Sequence, residues 1–183
     1  MAAGRSSRFN STKQAAELSG MTLVQRATAT ARQICSNRVL TILGHDMATV
    51  LNAMGSESGF VVVNENYENG LGTSIATAAR VCRKHADAIL LLLADQPLVT
   101  AEHLQALIDN WSGSNDEIVA TAFTNTEGPP VLLPSGTFDD LCLLSGDKGA
   151  HALFQDDRFR LKTVRFEAAS VDIDTPADLA ALT

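Results

Sequence analysis

Three basic residues lie close together at the start of the chain, among small side chains. Arg5, Arg8 and Lys13 precede the first acidic residue, Glu17, although the chain as a whole has a formal net charge of −7. Small residues let backbone N–H groups approach an anion, and Arg and Lys side chains can neutralise phosphate oxygens. Residues 2–13 therefore predict a phosphate-binding loop. A solvated basic terminus is the alternative.

Acidic residues follow two apolar segments much later in the chain. Asp95 comes directly after the apolar run Ala88–Ala94, and Asp172 and Asp174 lie two positions apart, so that in an extended segment they point the same way. Ligands of open α/β sheets bind beyond the carboxyl ends of strands, and Mg²⁺ takes one or two carboxylates together with substrate phosphates. These acids are therefore candidate Mg²⁺ ligands. The alternative is that they cap a turn and the following helix.

Other motifs are weaker or absent. No GxxxxGK[ST] sequence is present, which argues against a P-loop NTPase, and no GxSxG or Cys/His pair suggests a nucleophilic side chain. Gly70–Ile75 has the position and the first two glycines of a dinucleotide-binding turn, but it lacks the third glycine and remains a runner-up. His45, in the turn Gly44–Asp46, is by itself more typical of a turn than of a catalyst.

Composition limits the class of protein. A chain of 183 residues with 45% hydrophobic content predicts one domain over residues 1–183, and its acidic balance argues against a nucleic-acid partner. The longest apolar run, Ala88–Ala94, is too short to cross a membrane, and the first residues lack a signal-peptide pattern. The three cysteines have no metal-binding spacing. We therefore expect a cytoplasmic protein with free thiols.

Short apolar runs alternate with helical patterns along most of the chain. The strands predicted are Val39–Leu43, Phe60–Val63, Ala88–Leu93 and Ile118–Ala122, and the helices are Leu23–Ile34, Met47–Met54, Leu71–Lys84 and Ala101–Trp111. This alternation predicts an α/β fold with a mostly parallel sheet covered by helices on both faces. Prolines break up residues 128–136, so a less regular C-terminal part is expected to fold over the sheet. Its predicted elements are the helices Thr137–Leu144, Gly149–Gln155 and Pro176–Leu182 and the strand Leu161–Phe166.

Taken together and in order, these motifs resemble those of the MobA-like NTP transferases, most closely the molybdenum cofactor cytidylyltransferase branch. The similar segments are Ala2–Lys13 (LAAGxSxRMGxxK in the family), Leu43–His45 (TGH), Asn64–Ser74 (NxxYxxGmxxS), Ala94–Val99 (GDQPxV), Gly146–Ala150 (GDxGAR) and Asp172–Leu179 (DIDTPEDL). The chain departs from the pattern at Phe9 and Asn10, where the family has Met-Gly, and at His151, where arginine is usual.

This resemblance implies a Rossmann-like three-layer αβα fold, with a nucleotide-binding N-terminal part and an acceptor-side C-terminal part. The nucleotide-binding residues it implies are Ala2, Ala3, Gly4, Arg5, Ser6, Arg8, Lys13, His45, Asn69, Gly70 and Ser74. It implies that Asp95 and Asp174 bind Mg²⁺ and that Arg8, Lys13 and Asp95 are catalytic. The acceptor-side residues it implies are Gln96, Pro97, Asp147, Lys148 and Gly149.

The activity implied by the resemblance is transfer of CMP from CTP to the phosphate of molybdopterin, with release of pyrophosphate. The sequence Ala2-Ala3-Gly4 resembles the cytidylyl branch and so favours CTP over GTP. A molybdenum hydroxylase is a candidate partner. Two alternatives stay open: a related transferase acting on a sugar or alcohol phosphate, and a non-catalytic partner that delivers cofactor to such a hydroxylase.

A last expectation concerns the start of the sheet. A glycine loop of this kind must be launched from a buried strand, and Met1 stands where the last residue of that strand would be. We therefore expect that the natural protein extends several residues upstream, or that the sheet lacks its usual central strand.

Overall fold

The computed structural model describes residues 1–6, 8–9, 11–57, 59–147 and 149–183. Its strands are β1 (Glu17–Leu18), β2 (Met21–Thr22), β3 (Leu40–Leu43), β4 (Phe60–Val63), β5 (Ala88–Leu91), β6 (Glu117–Phe123), β7 (Thr126–Pro134) and β8 (Arg160–Arg165). Its α-helices are α1 (Leu23–Cys35), α2 (Met47–Met54), α3 (Leu71–Cys82), α4 (Ala101–Asn110), α5 (Phe138–Cys142) and α6 (Pro176–Ala180). Short 3₁₀ helices span Lys13–Ala15, Gly55–Glu57, Tyr67–Asn69, Ser135–Thr137, Ala150–Gln155 and Glu167–Ser170.

The larger strands form two groups. β3 and β4 pair in parallel, and a four-stranded sheet has the order β5-β7-β6-β8. β7 is antiparallel to both β5 and β6, whereas β6 and β8 are parallel, so β5, β6 and β8 run in one direction. Met1 and Ala2 run parallel to β3 and to the end of β5, which gives both groups the same direction. The expected α/β fold with a mostly parallel sheet is confirmed, and β7 alone runs against it.

Helices cover both faces of the four-stranded sheet because adjacent strand residues point to opposite sides. On one face, Ile118 and Leu133 share a buried cluster with residues of α3 and α5. On the other face, their neighbours Val119 and Leu132 share a cluster with Leu104 and other residues of α4. These apolar runs are therefore buried from both sides, as the three-layer arrangement requires.

Local capping fixes where several helices begin. The Thr22 side chain accepts a hydrogen bond from the Gln25 N–H, and the Gln25 side-chain oxygen accepts one from the Thr22 N–H, which makes a capping box at the start of α1. The hydroxyl of Thr100 accepts from the His103 N–H at the start of α4. Thr175 caps α6, whose first residue is Pro176.

The prediction that prolines break up residues 128–136 into an irregular segment is wrong. The segment forms most of β7, a strand in the middle of the sheet rather than an irregular excursion. Proline is normally excluded from central strands because it cannot donate a ladder hydrogen bond. Here the β6–β7 register shifts between Ala120 and Thr121, so Pro129 and Pro130 fall in the irregularity, and Pro134 is the last residue of the strand. The helix predicted at Gly149–Gln155 is a 3₁₀ helix that spans Ala150–Gln155.

No helix among the described residues is long and apolar enough to cross a membrane.

The start of the chain lies between β3 and β5. Among the described residues, no strand lies between β3 and β5, and only Met1 and Ala2 connect them. The Ala2 N–H donates to the carbonyl of Ile42 at 2.9 Å, and the Met1 amino group donates to the carbonyl of Leu92 at 2.7 Å. The glycine loop thus starts at the carboxyl ends of both strands.

Candidate active site

A cleft opens at the carboxyl ends of β3 and β5, where the first loop leaves the sheet. Its volume is about 380 Å³. Its walls come from the first loop, the turn before α3, the end of β5 and the C-terminal acidic segment. The lining residues are Met1–Ser6, Arg8, Lys13, Gln14, Leu23, Tyr67, Glu68, Gly70, Leu71, Ser74, Leu93–Asp95, Asp147 and Asp174. The cleft therefore joins segments separated by nearly the whole chain.

The first loop is held in shape by its own side chains. The Ser6 hydroxyl donates to the side-chain oxygen of Gln14 at 3.1 Å and accepts from the Lys13 N–H at 3.1 Å. The Gln14 side-chain amide also donates to the carbonyl of Gly4 at 3.2 Å, and Gln14 is only 4% exposed. Phe9 is buried in a cluster with Leu18 and other apolar residues, and it anchors the tip of the loop. Gln14 thus fixes the loop, a role that its position in the sequence does not reveal.

The turn after β3 supports this loop from behind. A Cβ atom on Gly44 would lie 2.6 Å from the Cβ of Tyr67 and 2.9 Å from the Cβ of Ala3, so only glycine fits there. The His45 N–H donates to the carbonyl of Ala3 at 3.2 Å, and its ring is tilted against Tyr67. His45 therefore positions the loop through its backbone and Tyr67, and its side chain is not part of the cleft wall.

Lys13 is the centre of charge in the cleft. Its ammonium group lies 2.6 Å from Asp95 Oδ2 and 3.0 Å from Asp174 Oδ1, and its side chain is only 12% exposed. Arg8 donates to the other oxygen of Asp174 at 2.7 Å. Desolvation acts to lower the pKa of Lys13, but the negative charges of Asp95 and Asp174 outweigh it and raise the pKa above its ordinary value. The two carboxylates thus meet on one ammonium group.

A third acid lies beside this pair. Desolvation of its carboxyl group, together with the negative charges of Asp95 and Asp174, raises the pKa of Asp172 to about 6, although much of the residue is exposed. The C-terminal segment is held against the end of β5 because the Ile173 N–H donates to the backbone carbonyl of Asp95 at 2.9 Å and the Ile173 side chain is fully buried. Asp172 and Asp174 therefore flank a fixed apolar anchor.

The residues around Lys13 fit a divalent cation. Asp95 Oδ1 is buried and has no hydrogen-bond partner among the described residues, so one carboxylate oxygen is free to bind a cation. In the same described part of the chain, no group of three or more His, Cys, Asp or Glu side chains forms a complete metal site. Two carboxylates completed by substrate phosphates and water are the set that Mg²⁺ usually takes. Such a cation would replace the Lys13 ammonium group between Asp95 and Asp174.

Arg5 and the turn before α3 form the opposite side of the cleft. Arg5 makes an ion pair with Glu68, and its guanidinium carbon lies 6.0 Å from the centre of the Tyr67 ring. Both ion-pair partners are more than half exposed, so the pair is weak and can be exchanged for a ligand. Ser74 is buried in the same wall and its hydroxyl accepts from the Asn64 side chain at 2.9 Å.

Gly70 brings the acceptor-side loop against this turn. Its φ is +91°, and a Cβ atom there would lie 2.3 Å from the carbonyl carbon of Gly146. The Gly72 N–H donates to the carbonyl of Gly146 at 2.9 Å. This close contact places Asp147 on the rim of the cleft.

Several residues implied by the resemblance lie elsewhere. Gln96 is 5% exposed and its side-chain amide donates to the carbonyls of Pro129 and Ala169, while Pro97 is buried, and neither lines the cleft. Their acceptor-side role stays a prediction. Asn69 is exposed and Gly149 is half-buried, and neither lines the cleft. Lys148 lies outside the described residues.

Sequence and structure comparisons place the chain among nucleotidyltransferases. It is 28% identical to the purine catabolism protein PucB of Bacillus subtilis (strain 168) over 190 residues, which cover 97% of this chain and 91% of that protein. It is 31% identical to the bifunctional protein GlmU of Synechococcus sp. (strain CC9311) over 120 residues, which cover 64% of this chain. The match spans only 26% of that GlmU, about a quarter of its length.

The fold is also shared with a solved structure. Rv0371C from Mycobacterium tuberculosis H37Rv, in complex with manganese, superposes with a TM-score of 0.79 at 26% identity, covering 98% of this chain and 93% of that one. The family model described as the MobA-like NTP transferase domain matches residues 1–164. That match includes the basic loop of residues 2–13 and Asp95 in one continuous stretch. The chain belongs to the MobA-like NTP transferase domain family.

Proposed function

We propose that the protein transfers CMP from CTP to the phosphate of a molybdopterin-type acceptor, with Mg²⁺ and with release of pyrophosphate. The observation that supports this most strongly is the meeting of the basic loop with two carboxylates, in which Lys13 lies within 3.0 Å of both Asp95 and Asp174. Nucleotidyl transfer needs cationic groups for the phosphates and carboxylates for a divalent cation in one place. The chain brings these groups together from positions 13, 95 and 174.

In this reaction a phosphate oxygen of the acceptor forms a bond to the α-phosphorus of CTP, while the bond from that phosphorus to the β-phosphate oxygen breaks. The step needs no nucleophilic side chain, because positioning and charge neutralisation account for most of the catalysis. Lys13 exchanges its carboxylate partners for the α-phosphate. Arg8 leaves Asp174 and binds the departing pyrophosphate.

The other residues of the loop hold the triphosphate in place. Arg5 leaves Glu68 for a phosphate oxygen, at little cost because both partners are exposed. Ala3, with only a methyl side chain, and Gly4, with none, leave the backbone N–H groups open to the phosphates. Asp95 and Asp174 would hold Mg²⁺, which would supply Lewis-acid charge to the phosphate oxygens. The presence of manganese in the Rv0371C structure supports the use of a divalent cation.

The preference for CTP rests on the resemblance of Ala2-Ala3-Gly4 to the cytidylyl branch. Competition between CTP and GTP for the free protein tests it directly, and the proposal expects CTP to bind more tightly. Equal affinity, or tighter binding of GTP, would contradict the assignment to this branch.

A second candidate function is transfer to another phosphorylated acceptor, such as a sugar or alcohol phosphate. Two observations favour keeping it. PucB and GlmU, at similar identity to this chain, carry different names, and burial of Gln96 and Pro97 leaves Asp147 as the only described acceptor-side residue on the cleft. A non-catalytic delivery role is less well supported, because Lys13, Asp95 and Asp174 are all present and in contact.

The function is tested by pyrophosphate release with each of the four NTPs, with and without molybdopterin and with a panel of sugar and alcohol phosphates. The proposal expects release only with Mg²⁺, with CTP and with molybdopterin. Release that needs a sugar or alcohol phosphate would replace the acceptor and keep the reaction class. No release with any combination would contradict catalysis itself.

A further inference from the structure

The two outer strands, β4 and β8, differ in how their free edges are protected. β8 is the edge of the four-stranded sheet, and it carries Arg160, Lys162 and Arg165. Charged residues on an edge strand discourage pairing with another chain. β4 is the outer strand of the β3–β4 pair, and its sequence, Phe60–Val63, is apolar throughout. Among the described residues no strand pairs with its outer edge, so β4 lacks the protection that β8 has.

The large side chains at both ends of β4 are exposed. Phe60 is 69% exposed and Val63 is 42% exposed. A single exposed apolar residue is common on a monomer, but a group of them along a free strand edge is typical of an interaction surface.

Helix α2 covers one face of β4 with part of its apolar surface. Its Val50 and Met54 are buried and pack with Val61 of the strand. Met47 and Leu51 each stand three residues before one of these, on the same side of the helix, and both are exposed. The helix therefore has apolar surface beyond what the two strands cover.

The hydrogen bonds between β3 and β4 show which backbone groups of β4 face outward. The strands are parallel with Leu43 opposite Val63, and the Asn64 N–H donates to the Leu43 carbonyl at 2.8 Å. In a parallel pair, alternate residues direct both backbone groups to the same neighbour, so Val62 and Asn64 face β3. Val61 and Val63 therefore direct their N–H and carbonyl groups away from β3.

This alternation limits how two copies of β4 can pair. In an antiparallel pair, outward-facing residues must lie opposite one another to exchange N–H···O bonds. The register centred on Val62 uses all of them within the strand, because Val61 of each copy then lies opposite Val63 of the other. The same register places Glu65 of one copy opposite Gly59 of the other.

Glu65 and the surroundings of Gly59 are complementary in charge and in shape. Gly59 has no side chain, and an added Cβ atom there would lie 3.1 Å from Nη2 of Arg32. Opposite residues of an antiparallel pair point to the same face, so Glu65 of the second copy points to the side where Arg32 lies. A guanidinium group has five N–H donors and can bind a carboxylate in addition to its contacts within the chain. Because the pairing is two-fold symmetric, this contact forms twice.

We propose that β4 is a dimerisation edge, occupied by β4 of a second copy of this chain in the antiparallel register centred on Val62, with Glu65 of each copy bound to Arg32 of the other. The two-fold axis is normal to the sheet, so both α2 helices lie on the same face of the junction. The net charge of −7 opposes association of two copies, so a register that brings opposite charges together is favoured over other pairings. This proposal does not depend on the reaction in the cleft.

The proposed interface adjoins the cleft through one segment. Glu65 lies between β4 and α3, in the segment that places Tyr67, Glu68 and Gly70 on the cleft wall. Binding of Glu65 to a second copy therefore restrains the side of the cleft on which Arg5 and Glu68 form their ion pair.

The test uses two charge reversals in the full chain, Glu65→Arg and Arg32→Glu. Sedimentation equilibrium measures the mass over protein concentrations from about 1 μM to 1 mM, which spans dissociation constants of weak to moderate dimers. The wild type should dimerise within this range. Each variant alone sets like charges opposite one another and should weaken self-association at least about tenfold. Glu17→Arg, at an exposed position in β1, changes the net charge equally and should dimerise at least as well as wild type.

An equimolar mixture of the two variants is the sharpest arm of the test. In a mixed dimer the new cation of one chain faces the new anion of the other, and the native Glu65–Arg32 contact forms at the opposite end. The mixture should therefore dimerise although neither variant does so alone. Two folded variants that stay monomeric when mixed would overturn the proposal, as would a wild type that is monomeric throughout the range.

Hydrogen exchange tests the register without relying on Arg32→Glu. Amide exchange at Val61 and Val63 should slow as the wild type dimerises, whereas Val62, which faces β3, should not change. Val63→Pro removes only an outward N–H, which an edge strand tolerates, and should give a folded monomer. Dimerisation that leaves exchange at Val61 and Val63 unchanged, or that persists in folded Val63→Pro and Glu65→Arg proteins, would show that the copies associate through another surface and would overturn the proposal.

Discussion

Replacing Lys13 by methionine should weaken the fold but strengthen metal binding in the absence of nucleotide. The ammonium group lies 2.6 Å from Asp95 and 3.0 Å from Asp174 in a largely shielded position. Coulomb's law with an effective dielectric constant of about 20 gives roughly 6 kcal/mol for the shorter contact, much of it offset by desolvation. Breaking such pairs costs about 3–5 kcal/mol when they are fully buried, so we expect about 2–4 kcal/mol here.

The same substitution removes the group that competes with a cation for the two carboxylates. We expect Mn²⁺ to bind Lys13→Met at least tenfold more tightly than wild type without nucleotide, and Mn²⁺ to restore part of the lost melting temperature. Titration calorimetry and thermal unfolding with and without Mn²⁺ measure both effects. Lys162→Met is the matched control, because Lys162 lies 3.2 Å from the buried carboxylate of Glu117, outside the cleft.

That control should lose stability without gaining Mn²⁺ affinity. If Lys13→Met binds Mn²⁺ no better than wild type, Lys13 does not occupy the metal position and the reasoning is refuted.

Three further predictions concern the loops, the first residue and the metal pair. In a denaturant titration, Gly70→Ala should lower the free energy of unfolding by at least about 2–3 kcal/mol, because φ is +91° and its Cβ would lie 2.3 Å from a carbonyl carbon. Gly20→Ala is the control: its φ is +81° but the space around it is open, so it should cost only the backbone strain. Burial lowers the pKa of the Met1 amine from 8.0 to about 6, so between these pH values the unfolded chain holds more protons than the folded one. The free energy of unfolding should therefore rise by up to about 3 kcal/mol from pH 6 to pH 8. Acetylation of the amino terminus should abolish that rise. Asp95→Asn should abolish Mg²⁺-dependent pyrophosphate release and lower the free energy of unfolding by about 1–2 kcal/mol. Glu68→Gln, a control in the same cleft, should keep Mg²⁺-dependent release. An active Asp95→Asn protein would contradict the mechanism.

The sequence predicts the regular elements well because their signals are local. Apolar runs place β3, β4, β5 and β6 within a few residues, and the predicted helix starts at Ala101 and Pro176 are confirmed. β7 is not predicted, because its prolines argue against a central strand. The register shift that accommodates them depends on pairing with the partner strand. Such a shift depends on tertiary pairing and leaves no pattern in a single segment.

The candidate site shows the same division. The basic loop and the acids can be found from residue type, and motif resemblance brings them into one site. Gln14 has no such signal, because its role depends on a fold of the loop that places its side chain between Ser6 and Gly4. Gln96 is the reverse case: it belongs to a recognisable motif, yet its side chain is buried against the carbonyls of Pro129 in β7 and of Ala169.

The location of a divalent cation bound together with CTP tests the central claim most directly. Crystals grown with Mn²⁺ and a non-hydrolysable CTP analogue would be measured at the manganese absorption edge. The account predicts an anomalous peak between the carboxylates of Asp95 and Asp174, bound directly or through water, with the Lys13 ammonium group moved onto the α-phosphate. A peak elsewhere in the protein, with Lys13 still paired to Asp95, would contradict it.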